Sequence, residues 1–281
     1  MSGFFTELLK PELAFLRNAI LLGILAGPVL GVIGSMVVTR RISSLAGASA
    51  HTALGGVGIA LFLQRVVGLS WCSGSIGAVA GAVFAALLVG IVSIYAKERE
   101  DTVIGAVWAI GMSVGLLFLD HTPGYVDWQS YLFGNILLLS QQDLYLTLML
   151  DALVLIPVVV FFPQVQAMLF DGTFAGLRGV KGNVIYLAML ALTALTIVVL
   201  INLVGIMLVI ALLTLPAAAA GCYTRNLRSM MCLGAVFNGL FVISGLVVSS
   251  LFSLPSGPAI VMISGIVYVA SVGIKKLHSK Q

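Results

Sequence analysis

Charged residues are scarce in this sequence. Of its 281 residues, 9% are charged and 60% are hydrophobic, and the mean hydropathy is +1.17. One water-soluble core cannot bury so much apolar surface, so the composition excludes an ordinary soluble protein. We therefore expect an all-α, polytopic transmembrane helical bundle that forms a single domain over residues 1–281.

The motifs of soluble enzymes are missing too. The sequence has no Walker A phosphate loop and no HExxH motif, and its three histidines do not furnish a Ser-His-Asp set. Its three cysteines show neither metal-type spacing nor a disulfide framework. The net charge of +4 forms no basic patch with aromatic elements, which argues against nucleic-acid binding. We expect no enzyme activity, so energy for uphill transport must come from a partner subunit, an ion gradient or the membrane potential.

Apolar windows long enough to cross about 30 Å of hydrocarbon recur along the chain. They are residues 14–38, 44–64, 72–96, 102–119, 143–162, 184–202, 204–224, 230–252 and 257–274. The short break at 202–205 is either a turn between two spans or a kink within one, so the prediction is nine spans, or eight. The first window is too long for a cleavable signal peptide, and its basic pair follows it.

Basic residues are distributed asymmetrically between the loops. Eleven of the fourteen lie on alternate loops: Arg40, Arg41, Lys97, Arg99, Arg178, Lys181, Arg225, Arg228, Lys275, Lys276 and Lys280. Short loops rich in Lys and Arg stay on the cytoplasmic side of a membrane. This pattern predicts that the amino terminus lies outside and the carboxyl terminus lies in the cytoplasm.

His51 is the most informative polar residue, because it lies in the middle of the second window. An ionisable group in lipid costs roughly one to a few kcal/mol, so it should face protein or water. On a helical wheel it shares a stripe with Gly47, Gly55 and Gly58. Such glycines either admit a neighbouring backbone or line a path into which the imidazole points. His51 is therefore a candidate metal ligand on a path, or a histidine hydrogen-bonded between packed helices.

Two further polar sites are weaker candidates. Asp151 lies about 8 residues, or roughly 12 Å, inside the fifth window, as a path residue or as a buried protonated or paired acid. Asp120 and His121 begin the outer loop 120–142, either as a pair that receives a cation or as solvated residues. We also expect interfacial helices at residues 3–12 and in the outer loop. The loop's headgroup-level aromatic residues would be Tyr125, Trp128 and Tyr131.

The inner loop 163–183 is the longest cytoplasmic segment. Asp171 can cap a short helix there, and Gly179 can end it. The apolar side of this helix carries Phe174, Ala175 and Leu177. A short exposed helix with an apolar side should dock onto a partner.

Several segments together resemble a known family. They are VGIMLVIALLTLPAAAA at 204–220, YLFGNILLLS at 131–140, FDGTFAGLRG at 170–179, LPSGPAIVMISG at 254–265 and DTVIGAVWAIGMSVG at 101–115. With the histidine-bearing second span, they are similar to the ABC-3 family, the membrane permeases of bacterial zinc, manganese and iron ABC importers. The resemblance implies a type II ABC importer-like permease in the bacterial cytoplasmic (inner) membrane. It also implies three partners: a second permease copy in a homodimer, a cytoplasmic ABC ATPase dimer that hydrolyses ATP, and an extracytoplasmic metal-binding protein.

The resemblance assigns roles to residues as well. The inner helix would be the ATPase coupling helix, with Asp171, Phe174, Ala175, Leu177 and Gly179. The family's second span usually has Asp four residues before the histidine, whereas this chain has Gly47. Two His51 copies, with water or Asp151, would then form a transient site. Imidazole without carboxylate favours Zn²⁺ as the transported ion, with manganese or iron as alternatives and no permanently bound cofactor.

Two other functions remain open from the sequence. The first is a permease for an iron-siderophore, haem or cobalamin chelate, which requires no side-chain ligand on its path. The second is an intramembrane enzyme or receptor that uses His51, although no second catalytic group is in register with it.

Overall fold

The structure is a computed structural model that describes residues 14–96, 98–124, 136, 139–177 and 179–278. For residues 14, 15, 173, 174 and 278 it describes the backbone alone. The described residues form helices and no strand. The helices are α1 (Ala14–Arg40), α2 (Ser44–Phe62), α3 (Gly74–Tyr95), α4 (Glu100–Asp120), α5 (Gln141–Val160), α6 (Phe162–Phe170), α7 (Gly172–Leu177), α8 (Gly182–Val204), α9 (Ile206–Tyr223), α10 (Leu227–Phe252) and α11 (Ser256–His278).

Nine helical segments in this described part of the chain are long and apolar enough to cross a membrane. They are all the helices except α6 and α7, and α2 is extended by a π-helical turn at Leu63–Val67. The prediction of an all-α polytopic fold is therefore confirmed. The expected interfacial helices are not tested, because residues 3–12, Tyr125, Trp128 and Tyr131 lie outside the described residues.

Gly205 separates the sixth and seventh candidate spans. Its φ of +86° lies in the left-handed region that side-chain-bearing residues rarely adopt. α8 ends at Val204 and α9 begins at Ile206, so the two apolar windows form separate helices.

The inner segment contains two short helices where the sequence predicted one. α5 ends at Val160 because Phe161 leaves the helical conformation, with φ −100° and ψ 20°. Pro163 then lies in the first turn of α6, where its missing N–H costs no helical hydrogen bond. The apolar run that the fifth window included is therefore divided between α5 and α6.

The chain folds into two compact units. The first comprises residues 1–38, 133–159 and 203–281, and the second comprises residues 39–132 and 160–202. In the first unit α1 packs closely on α10, since a Cβ added at Gly23 would lie 2.5 Å from Val242 Cγ1. The prediction of a single permease domain stays a prediction.

Candidate functional site

Helix α2 lies between α3 and α4 in the second unit, and small residues let the three backbones approach one another. A Cβ added at Gly58 would lie 2.5 Å from the Gly115 carbonyl oxygen on α4. On the α3 side, a Cβ added at Gly56 would collide with the carbonyl oxygen of Gly77. The order of the contacts gives the helix directions: Gly55 and Gly58 meet Gly111 and Gly115, so α2 is parallel to α4, whereas Thr52 and Gly56 meet Gly81 and Gly77, so α2 is antiparallel to α3. Consecutive membrane crossings require this alternation.

Two of the glycines that share a stripe with His51 take part in this packing. Gly55 faces the Gly111 carbonyl, and Gly58 faces the Gly115 carbonyl. They therefore allow close helix packing, one of the two roles that the sequence left open. Their role in lining a path stays a prediction.

The His51 ring stacks on Trp108 of α4. The ring centroids lie 5.1 Å apart, and the planes are inclined by 21°. The imidazole is partly buried, and its Nδ1 atom is buried with no hydrogen-bond partner among the described residues. The role of His51 as a metal ligand on a path stays a prediction.

Trp108 also occupies the space beside Gly47. A Cβ added at Gly47 would lie 2.6 Å from both Cη2 and Cζ3 of the indole. Position 47 is where the resembling family usually carries its aspartate, so an aromatic ring fills the volume that a carboxylate would need. Sequence reasoning missed Trp108, because one sequence does not reveal that residues 61 positions apart (108 − 47) are in contact. The only available signal was a tryptophan in the middle of an apolar window.

Asp151 belongs to the first compact unit, whereas His51 belongs to the second. Asp151 is 7% exposed, and its Oδ1 atom is buried with no hydrogen-bond partner among the described residues. The two roles left open by the sequence, a path residue or a buried protonated or paired acid, are not tested. Its participation with His51 stays a prediction.

Asp120 and His121 form a solvent-exposed pair. The distance from His121 Nδ1 to Asp120 Oδ2 is 4.0 Å, and the side chains are 71% and 85% exposed, respectively. The same Nδ1 lies 2.9 Å from the Leu117 carbonyl oxygen. A pair so exposed contributes little binding energy of its own.

The inner segment has the predicted helix, but one of its expected anchors is turned inward. Asp171 precedes α7 in an extended conformation, and its carbonyl accepts the Ala175 N–H at 3.0 Å. Ala175 is 0% exposed, so the expectation that it contacts an ATPase is corrected: it packs within this chain. Leu177 is 84% exposed and is available to a partner. The Phe174 side chain lies outside what the structure describes.

Gly179 ends this helix as predicted. Its φ is +77°, and its N–H bonds the Gly176 carbonyl at 3.0 Å. The Val180 N–H bonds the Ala175 carbonyl at 3.1 Å. These two bonds form a Schellman motif, in which glycine supplies the left-handed residue.

A polar cavity of about 320 Å³ in the second unit is lined by residues at or near the ends of six helices: α1, α3, α4, α6, α7 and α8. Arg40 Nη2 lies 3.6 Å from Glu100 Oε1, and Ser93 Oγ donates to the same carboxylate oxygen at 3.2 Å. The Arg40 guanidinium also lies over the Tyr186 ring, 5.2 Å from its centroid. Gly172 of α7 lines the cavity. The cavity therefore connects the start of the inner helix with the ends of the neighbouring spans.

No group of three or more His, Cys, Asp or Glu side chains suited to hold a metal ion occurs within the described residues. The described arrangement at His51 offers a single imidazole beside an aromatic ring. One chain can therefore offer a passing cation a weak contact and not a closed coordination shell.

Nine candidate spans, close packing through small residues and a single imidazole in mid-span are features of a polytopic membrane protein. Residues 12–275 match the ABC 3 transport family, and the chain belongs to that family. It is 35% identical over 275 residues to a protein of Chlamydia muridarum named "Probable metal transport system membrane protein", covering 98% of this chain and 91% of that one.

Two further proteins have similar sequences or structures. The manganese transport system membrane protein MntC of Halalkalibacterium halodurans is 32% identical over 269 residues, covering 95% of this chain and 89% of the relative. The solved structure of PsaBC from Streptococcus pneumoniae in complex with Fab superposes with a TM-score of 0.80 at 28% identity. That match covers 96% of this chain and 95% of the other.

Proposed function

We propose that this chain is the permease subunit of an ATP-binding cassette importer that passes a divalent transition metal ion across the cytoplasmic membrane. Membership of the ABC 3 transport family supports the transport role. The names of two relatives, a metal transport protein and a manganese transport protein, support a metal ion as the substrate.

The observation that carries the proposal is the unpaired ring nitrogen of His51. Its buried Nδ1 atom has no hydrogen-bond partner among the residues that the structure describes, although a buried polar atom normally has one. Neutral imidazole is a good ligand for zinc and for neighbouring metals in the transition series. Two permease copies would supply two imidazoles, and a site so sparse releases its ion readily, as conduction requires.

Zinc is the ion that we favour. Manganese prefers carboxylate and carbonyl oxygens, and Trp108 occupies the place of the family's aspartate beside His51. The manganese relatives support the opposite choice, so the ion has to be decided by experiment. Iron uptake and uptake of an iron-siderophore chelate are the remaining outcomes.

The proposed partners follow from the family. A cytoplasmic ATPase dimer would hydrolyse ATP, an extracytoplasmic metal-binding protein would deliver the ion, and a second permease copy would complete the path. Leu177, an exposed apolar residue among the described side chains of α7, would contact the ATPase. Arg40, Glu100 and Gly172, which line the same polar cavity, would then link the movement of α7 to the spans.

The proposed orientation places this cavity on the cytoplasmic side. Arg40 ends α1, Glu100 begins α4 and Tyr186 is near the start of α8, and all three line the same cavity. Their loops are the ones that the basic residues assign to the cytoplasm. The amino terminus would then be outside and the carboxyl terminus in the cytoplasm.

The test is metal uptake by cells with and without the complete transporter. Zinc, manganese, iron and an iron-siderophore complex are supplied in turn at equal concentration, and the metal content of the cells is measured. We expect transporter-dependent accumulation of zinc above that of the others. Accumulation of the chelate alone, or of none of the four, would contradict the proposal.

A further inference from the structure

The contact between Gly47 and Trp108 has a consequence for ion choice. A Cβ at position 47 would lie 2.6 Å from two carbons of the indole, and real Cβ contacts are essentially never closer than about 3.0 Å. A carboxylate at position 47 and the indole in its present place therefore exclude each other. To admit an aspartate, Trp108 would have to leave its position against His51.

The same indole contacts the imidazole. The two ring centroids lie 5.1 Å apart with an angle of 21° between the planes, so the indole lies against one face of the His51 ring. Trp108 is 36% exposed and His51 is partly buried, so neither ring of the stacked pair is fully enclosed within this chain. Trp108 thus contacts the only imidazole in this span, and it fills the space that a carboxylate ligand at position 47 would need.

We infer that Trp108 is a specificity-determining residue, which makes the His51 site selective for imidazole-binding ions over manganese by taking the place of a carboxylate. The inference rests on the proposed function and adds to it the residue that selects the ion. It predicts that positions 47 and 108 act as a pair. A carboxylate introduced at position 47 serves the path only when the indole is removed.

The experiment compares zinc and manganese uptake by the complete transporter, reconstituted in vesicles, in four forms. These are the wild type, Gly47→Asp, Trp108→Ala and the double variant. We expect Gly47→Asp alone to lower uptake of both ions at least fivefold, because the aspartate displaces the indole from His51. Trp108→Ala should lower zinc uptake without favouring manganese. The double variant should raise the manganese-to-zinc ratio at least tenfold above that of either single variant.

Two further variants address folding. Phe118→Ala is the matched control, since Phe118 makes the other aromatic contact between α2 and α4, an edge-on pair with Phe62 at 5.2 Å. It should leave the manganese-to-zinc ratio unchanged. If the double variant does not assemble, Gly47→Asp with Trp108→Phe keeps an aromatic ring while removing the outer indole carbons, and the same rise is expected.

Two results would overturn the inference. One is a manganese-to-zinc ratio in the assembled double variant equal to that of Trp108→Ala. The other is a gain of manganese uptake by Gly47→Asp alone, which would mean that Trp108 does not prevent a carboxylate at position 47 from serving the path. Failure of the proposed function is distinct from both, because the wild-type transporter would then take up neither ion.

Discussion

The packing of α2 against α3 gives a quantitative prediction for Gly56→Ala. The added methyl group would collide with the Gly77 carbonyl oxygen and would lie 3.1 Å from the Gly81 Cα atom. Both obstacles are backbone atoms, so no side-chain rotation relieves the contact. The two helices would have to separate locally.

The expected magnitude follows from two opposing effects. Overpacking a close contact costs typically about 1–3 kcal/mol, and rigid backbone on both sides places this case near the upper value. Replacing glycine by alanine within a helix gains about 1 kcal/mol. The net loss of stability is therefore about 2 kcal/mol, which lowers the ratio of folded to unfolded protein by a factor of roughly 30.

The assay is thermal unfolding of the purified permease in detergent. Gly105→Ala is the matched control, because a Cβ added at this exposed α4 position meets no described atom within 4 Å. We expect Gly56→Ala to unfold at a clearly lower temperature than the wild type, and Gly105→Ala to unfold at the same temperature or a higher one. Equal stability of the two variants would refute the close packing of α2 on α3.

Three further predictions concern the inner face. Leu177→Asp should reduce co-purification of the ATPase at least tenfold while the permease stays folded. Leu277→Asp is the control and should not reduce it, since Leu277 is 69% exposed and Leu177 is 84% exposed. Retention of the ATPase by Leu177→Asp would place the docking contact elsewhere. Ala175→Asp should instead destabilise the permease itself by several kcal/mol, because it buries an unpaired charge. The variant should unfold at a lower temperature, and normal stability would contradict the burial of this residue. Glu100→Gln should lower the stability by no more than about 1 kcal/mol in the same unfolding assay, since the side chains of Arg40 and Glu100 in this ion pair are 35% and 25% exposed. A much larger loss of stability would show a stronger role for the pair.

Much of the fold could be predicted from hydropathy. The nine apolar windows coincide with the nine candidate spans, because membrane-crossing helices need long apolar runs. The break at 202–205 was ambiguous in the sequence, since any of several residues could end a helix there. Its location depends on the positive φ of Gly205, a conformational fact that composition does not reveal.

The candidate site was only partly predictable. Helical periodicity placed His51 on a stripe with three glycines, but it left open what those glycines face. The structure gives two different neighbours: backbone carbonyls against Gly55 and Gly58, and an indole against Gly47. These contacts join segments that are distant in the sequence, and the periodicity of one helix does not predict contacts with another. The burial of Ala175 was missed for the same reason, because the apolar side of a six-residue helix can face the chain itself as readily as a partner.

The most direct test of the central claim is zinc transport by His51→Ala in vesicles that contain the complete transporter. Removing the imidazole deletes the side-chain ligand proposed for the path, while the loss of a partly buried ring should leave assembly intact. We predict that zinc uptake falls at least tenfold, while the purified variant keeps its ATPase partner and its basal ATP hydrolysis. Wild-type zinc uptake by a fully assembled His51→Ala transporter would contradict the account.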